Sequence, residues 1–125
     1  MKTVKELVAK ANEQVETLQV SEVKTLLSNP GIALVDLRDS AELQQEGKIP
    51  GAVHVNRGML EFALDPTTKY HNPVFSSGKK IVFYCAGGGR SALAAATAED
   101  MGLDNVAHLA GGFKAWKEAG APVEK

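Results

Sequence analysis

One cysteine occurs in the 125 residues, Cys85, and it closes the apolar run Ile81-Val82-Phe83-Tyr84. Ala86, Gly87, Gly88, Gly89, Arg90 and Ser91 follow it. The chemistry open to this string is that of a nucleophilic sulfur. Glycine permits positive φ and leaves no side chain between backbone and ligand. A run of glycines can therefore turn several N–H groups inward as an anion cradle. The helix expected from Ser91 to Met101 presents its positive end to the same space, and Arg90 adds a fixed charge. Together these features favour the thiolate, the reactive form of cysteine. Singly they are weak, because a lone cysteine is commonly a small buried hydrophobe and Gly-Gly-Gly is commonly a turn. The order strand, Cys, glycine loop, Arg, helix N-terminus carries the assignment. The loop is neither a Walker A motif nor G-x-G-x-x-G.

The elements that must hold this loop are readable as punctuation and periodicity. Residues 3–16 form an amphipathic helix, with Thr3 and Glu6 at capping-box spacing and Val4, Leu7, Val8, Ala11 and Val15 on one face. A second helix runs from Ser21 to Leu27 and stops at Asn29-Pro30-Gly31. Ile32-Ala33-Leu34-Val35, ending at Asp36, is an unbroken apolar run of the kind buried on both faces in a parallel sheet. Ala52 to Val55 gives a shorter strand. A short helix at Met59–Ala63 and a long loop occupy residues 56–79. Asn105–Leu109 is a strand, Ala110-Gly111-Gly112 a turn, and Phe113–Glu118 a last helix; Gly102 is placed to cap the helix before that strand. Alternating strands and helices predict an α/β domain with a mostly parallel sheet, whose ligands bind beyond the carboxyl ends of the strands. Cys85 stands at such an end.

Bulk composition narrows the class. A chain of this length fits one domain. Fourteen basic against fifteen acidic residues leave a net charge of -1 with no basic run, so nucleic-acid binding has no support. Nothing approaches the roughly 20 apolar residues that span a bilayer, and the N-terminus lacks the apolar core of a signal peptide. One thiol suits a reducing compartment, so a cytoplasmic protein is expected. His54, His71 and His108 are dispersed and give no metal-ligand spacing with Cys85; His54 and His108, in strands, read as satisfied core or edge residues. Trp116 reads as core. No metal and no cofactor is expected.

Three stretches resemble the rhodanese family. Cys85, Gly88 and Arg90 match its Cys-x-x-Gly-x-Arg loop. Val35-Asp36-Leu37-Arg38 with Glu42, then Gly47-Lys48-Ile49-Pro50-Gly51-Ala52, match a second segment. Leu109-Ala110-Gly111-Gly112-Phe113-Lys114-Ala115-Trp116, with Gly120 and Pro122, match a third. The resemblance covers about residues 18 to 123, which leaves 1–17 as an N-terminal helical extension to a domain over 18–125. It implies a three-layer α/β sandwich around a five-stranded parallel sheet. It also implies ping-pong sulfur transfer: an anionic donor such as thiosulfate loads Cys85 as a persulfide, and cyanide or a thiol unloads it. Residues 86–91 would hold the substrate. Asp36, Arg38, Glu42, Gly111 and Gly112 would support the fold.

Some family members carry a basic side chain inside the loop, where this chain has Ala86 and Gly87. A further cation must then come from the rim, and Arg57, directly after a strand, is the expected one, with Met59, Leu60 and Phe62 giving the rim an apolar face. Two alternatives remain open. A persulfide carrier would use Cys85 with a protein donor or acceptor and turn over small donors slowly. Phosphatases of the cell-division-cycle kind share the architecture, but with Cys-x5-Arg; here the spacing is Cys-x4-Arg, a smaller ring.

Overall fold

The computed structural model describes residues 1–125. Five strands form one sheet: β1 (Glu16–Leu18), β2 (Ile32–Asp36), β3 (Val53–His54), β4 (Lys80–Tyr84) and β5 (Val106–Leu109). Their order is β1-β5-β4-β2-β3 and every neighbouring pair is parallel. Parallel pairing needs crossovers, supplied here by the helices α2 (Val20–Leu26), α3 (Ser40–Glu46), α4 (Leu60–Leu64) and α5 (Gly89–Asp100), while α1 (Val4–Gln14) precedes β1 and α6 (Gly112–Glu118) follows β5. No helix is long and apolar enough to cross a membrane.

Strand residues alternate between faces, and here both faces are apolar. Ala33, Val35, Ile81, Phe83, Cys85 and Val106 point to one side, where they pack with Leu60, Ala63 and Leu64 of α4 and Ala94, Ala95 and Ala98 of α5. Leu34, Val82, Tyr84, Ala107 and Leu109 point to the other, against Val23 of α2 and Phe113 and Trp116 of α6. The result is the expected three-layer α/β sandwich. Trp116 is fully buried and donates its indole N–H to the carbonyl of Pro122.

The differences from the sequence expectations lie at short elements and boundaries. Strand β1 was not foreseen, since Glu16-Thr17-Leu18 carries a single large apolar side chain; pairing with Ala107, His108 and Leu109 of β5 makes it a strand. It crosses the boundary drawn between residues 17 and 18, and α1 before it packs on α5. Helix α3 was also unforeseen. It buries no residue and is set by a capping box in which the Asp39 N–H donates to Glu42 Oε1 at 3.0 Å. Leu60, expected on an apolar rim, is fully buried, while Met59 and Phe62 are exposed. The long loop after α4 contains a 3-10 turn, Pro73–Ser76.

Candidate active site

Strand β4 delivers Cys85 to the carboxyl edge of the sheet, and its parity with Ile81 and Phe83 turns the side chain toward α5. Helix α5 begins at Gly89, two residues earlier than expected, so Arg90 stands in its first turn rather than before it, and Ser91 is its third residue rather than its first. First-turn amides have no partner inside their helix. The amide of Ser91 spends its hydrogen on Cys85 Sγ at 3.3 Å, and that of Gly88 does the same at 3.2 Å. Gly88 has φ +104°, and a Cβ there would meet the amide nitrogen of Gly111 at 3.3 Å. Cys85 as a residue is 1% exposed. Two N–H dipoles converging on a shielded sulfur stabilise a negative charge on it.

The back of the loop is fastened to the turn between β5 and α6. The carbonyl of Cys85 accepts from the Phe113 amide at 2.8 Å, and that of Ala86 from the Lys114 amide at 3.0 Å. This close approach explains Gly112: its φ is +61°, and a Cβ would lie 2.5 Å from the Cys85 carbonyl oxygen. Gly111 caps α6 in the left-handed region.

The charged residues are paired. Arg90 donates from both terminal nitrogens to the two oxygens of Glu42, at 3.0 and 3.1 Å. That bond holds the Glu42 carboxyl at about 2, well below the usual range. Arg38 is fully buried and bonds Asp36 through Nε and Nη2, at 3.0 and 2.8 Å, and the carbonyl of Gly47 at 2.7 Å. Its guanidinium also lies 4.2 Å from the centre of the Phe113 ring, so the pair ties the end of β2 to α6. Arg57 opens a 3-10 turn after β3 and bonds Glu61 at 3.0 Å.

Sequence reasoning missed the cations beside the loop. Ala86 and Gly87 line a cleft of about 290 Å³ together with Arg38, Glu46, Phe113, Lys114 and Lys117. Lys117 is engaged by Glu46, whereas Lys114 makes no ion pair. Lys114 follows directly from the Gly-Gly-Phe-Lys string, and the position of that string at the next strand's carboxyl end was the available signal.

His108 is satisfied, as expected, but by partners that run toward the cysteine. Its Nδ1 lies 2.9 Å from Ser91 Oγ, and its Nε2 lies 2.7 Å from Asn12 Oδ1. Ser91 Oγ is 3.6 Å from Cys85 Sγ. His54 is an edge residue bonded to the Arg38 carbonyl at 2.5 Å, and His71 bonds Ser76 Oγ at 2.8 Å.

The fold is a parallel α/β sandwich that places Cys85 beyond the carboxyl end of β4, with the amides of Gly88 and Ser91 on its sulfur. Residues 19–119 match the rhodanese-like domain, and the chain belongs to that family, which supports a sulfur-transfer or sulfur-relay role in general terms. Among its relatives is the mouse thiosulfate sulfurtransferase/rhodanese-like domain-containing protein 3, 36% identical over 100 residues. That match takes in 76% of this chain and 64% of the mouse protein, so the chain spans less than two thirds of that relative. A Rhodopseudomonas palustris protein of unknown function, described as a possible tyrosine phosphatase, has a solved structure that superposes with a TM-score of 0.96 at 48% identity, over 99% of this chain and 96% of its own. The polysulfide-sulfur transferase homodimer of Wolinella succinogenes superposes with a TM-score of 0.73 at 30% identity, over 96% of this chain and 85% of that one.

Proposed function

We propose that the protein is a sulfurtransferase that carries sulfane sulfur on Cys85 as a persulfide, from an anionic donor of the thiosulfate type to cyanide or a thiol. The observation that carries this is the pair of amide bonds, from Gly88 and Ser91, converging on Sγ. The Cys85 thiolate attacks the outer sulfur of thiosulfate; the S–S bond breaks and sulfite leaves with the electron pair. The terminal sulfur now bears the charge, and the loop amides and Arg90 are the groups that face it. Cyanide then attacks that sulfur, takes it as thiocyanate, and returns the thiolate. No cofactor enters either step. Lys114 and Arg57 form the cationic rim that draws the donor.

The test is the mass of the intact protein after incubation with thiosulfate. A gain of one sulfur atom, removed by cyanide, supports the mechanism; an unchanged mass sinks it. Slow turnover with small donors alongside a stable persulfide would assign the carrier role, with a protein as donor or acceptor. Phosphoryl transfer is the second reading, raised by the description of the Rhodopseudomonas relative. The Cys-x4-Arg ring and the engagement of Arg90 by Glu42 count against it, and p-nitrophenyl phosphate should not be hydrolysed above the rate of a Cys85→Ser variant.

A further inference from the structure

Helix α1 lies outside the residues that match the family, yet a line of polar contacts joins it to the nucleophile. Four elements each contribute one group: Cys85 from the loop, Ser91 from α5, His108 from β5 and Asn12 from α1. Ser91 is fully buried and His108 is 2% exposed. A hydroxyl and an imidazole buried among apolar side chains are costly unless hydrogen-bonded, and here each is bonded to the next. We propose that Ser91, His108 and Asn12 form a proton relay that takes the proton of the Cys85 thiol, with His108 and Asn12 as positioning residues acting through Ser91.

The hydrogens can be assigned from the contacts. The carboxamide oxygen of Asn12 only accepts, so His108 Nε2 carries a hydrogen and donates it, which leaves Nδ1 as an acceptor. Burial pushes the His108 imidazole below its usual range, and the ring is neutral at rest. The Ser91 O–H has two acceptors within reach, His108 Nδ1 at 2.9 Å and the Gly88 carbonyl at 3.2 Å; it is assigned to the nearer, Nδ1, and the hydroxyl oxygen offers a lone pair to the thiol. In the transfer the S–H bond breaks and its proton goes to Ser91 Oγ while the Ser91 proton passes to Nδ1. A thiolate and an imidazolium result, and no electrons are exchanged. The new Ser91 O–H points to the sulfur, Nδ1–H to Ser91 and Nε2–H to Asn12, so no hydrogen bond in the line is lost. The thiol of a cysteine that is 1% exposed has little access to water as a base, which is what an internal acceptor remedies.

The far end is open. Asn12, Thr17 and His108 line a cleft of about 410 Å³ with Gly87, Gly88 and Gly89, where the ring can exchange its proton with solvent. The groups against the ring are Asn12 from α1, Thr17 Oγ1 from β1 at 3.3 Å and Ser91 from α5. None of them is charged, and Cys85 is the only other titratable group along the line.

The relay rests on Cys85 being the nucleophile of the proposed sulfur transfer, but its test uses no sulfur donor. Iodoacetamide adducts report Cys85 alone, because it is the only thiol. Alkylation rates of the full chain are compared at about pH 6 for the wild type, Asn12→Ala, Asn12→Asp and His108→Gln. A carboxylate at residue 12 favours the imidazolium, so Asn12→Asp should react faster, by up to about tenfold; Asn12→Ala and His108→Gln should react slower by a similar factor. Asn12 is exposed on the helix, so its two variants keep the core intact and decide the matter alone if His108→Gln does not fold. Rates for the two Asn12 variants within twofold of wild type, or moved in the same direction, would overturn the relay. Opposite shifts in a protein that gains no sulfur from thiosulfate would keep the relay and remove the sulfur transfer.

Discussion

The guanidinium of Arg90 and the carboxylate of Glu42 meet as a two-pronged pair, both nitrogens on both oxygens, across 48 residues of sequence. The loop's arginine is therefore anchored on α3, and its remaining positive field reaches the sulfur from a fixed position. The folded value of Glu42, about 2, lies below its ordinary 4.5, so the pair stabilises the fold fully above about pH 4.5. That contribution fades as pH falls from 4.5 toward 2, when the folded carboxyl takes up its proton. Both groups are partly exposed, which keeps the effect small. Denaturant titrations of wild type and Glu42→Gln should converge at acid pH and separate above pH 4.5; curves separated equally at every pH would contradict the pairing.

Arg90→Ala should lower kcat/KM for thiosulfate by on the order of 10²–10³, the usual cost of losing one preorganised donor, without abolishing it, because the amides of Gly88 and Ser91 remain. Cys85→Ser should abolish transfer while thermal unfolding moves by only a few degrees. Steady-state kinetics on the pair distinguish a supporting charge from the nucleophile.

Gly112→Ala places a Cβ 2.5 Å from the Cys85 carbonyl oxygen at a φ of +61°. Left-handed backbone alone costs about 1–2 kcal/mol for a residue with a side chain, and the clash displaces the loop besides. Transfer activity should fall by at least about tenfold even in protein that remains folded. A variant with full activity would mean that the loop does not depend on this contact.

Removing Arg38 strands the Asp36 carboxylate in the interior. Breaking a buried pair on one side typically costs about 3–5 kcal/mol, so Arg38→Met should unfold at much lower urea concentration than wild type, and Asp36→Asn/Arg38→Met should recover part of the loss. Urea midpoints of the two variants test this.

Lys114 has no ion pair and stands beside Ala86 and Gly87, whereas Arg57, the residue proposed from the sequence for the rim, is held by Glu61 and does not line that cleft. Lys114→Ala should raise the KM for thiosulfate by about two- to fivefold, and Arg57→Ala by less, each with little change in kcat, as expected for exposed charges. Raised ionic strength should shrink both differences. Equal KM values across all three proteins would leave donor binding to the loop alone.

The unit from β4 through the cysteine to α5 was legible because its signals are contiguous: an apolar run, a thiol, glycines, then an alanine-rich helix. The packing of Trp116 was legible for the same reason, since it sits on a patterned helix, whereas the support role expected of Asp36 and Arg38 came from the family resemblance. Strand β1 was not, because three residues with one large apolar side chain acquire strand geometry only by pairing with β5. Nor was the place of Glu42, since its partner is brought up by the fold. The line from Cys85 to Asn12 depends on the β4–β5 register that sets Phe83 beside His108, and on α1 packing over α5. Neither is written locally. Arg57 was singled out for standing just after a strand, while Lys114, in the first turn of the helix after β5, was passed over.

The fastening of the Cys85 and Ala86 carbonyls to the first amides of α6 has a bearing on how such proteins diversify. A peptide unit pinned on its oxygen cannot flip, so the seat of the migrating atom has the same shape whatever arrives. Discrimination between one donor and another then falls to the side chains beside the loop, such as Lys114 and Lys117 of α6. Chains sharing this loop residue for residue could still serve different sulfur traffic, and the residues flanking the entrance are where that difference would be found.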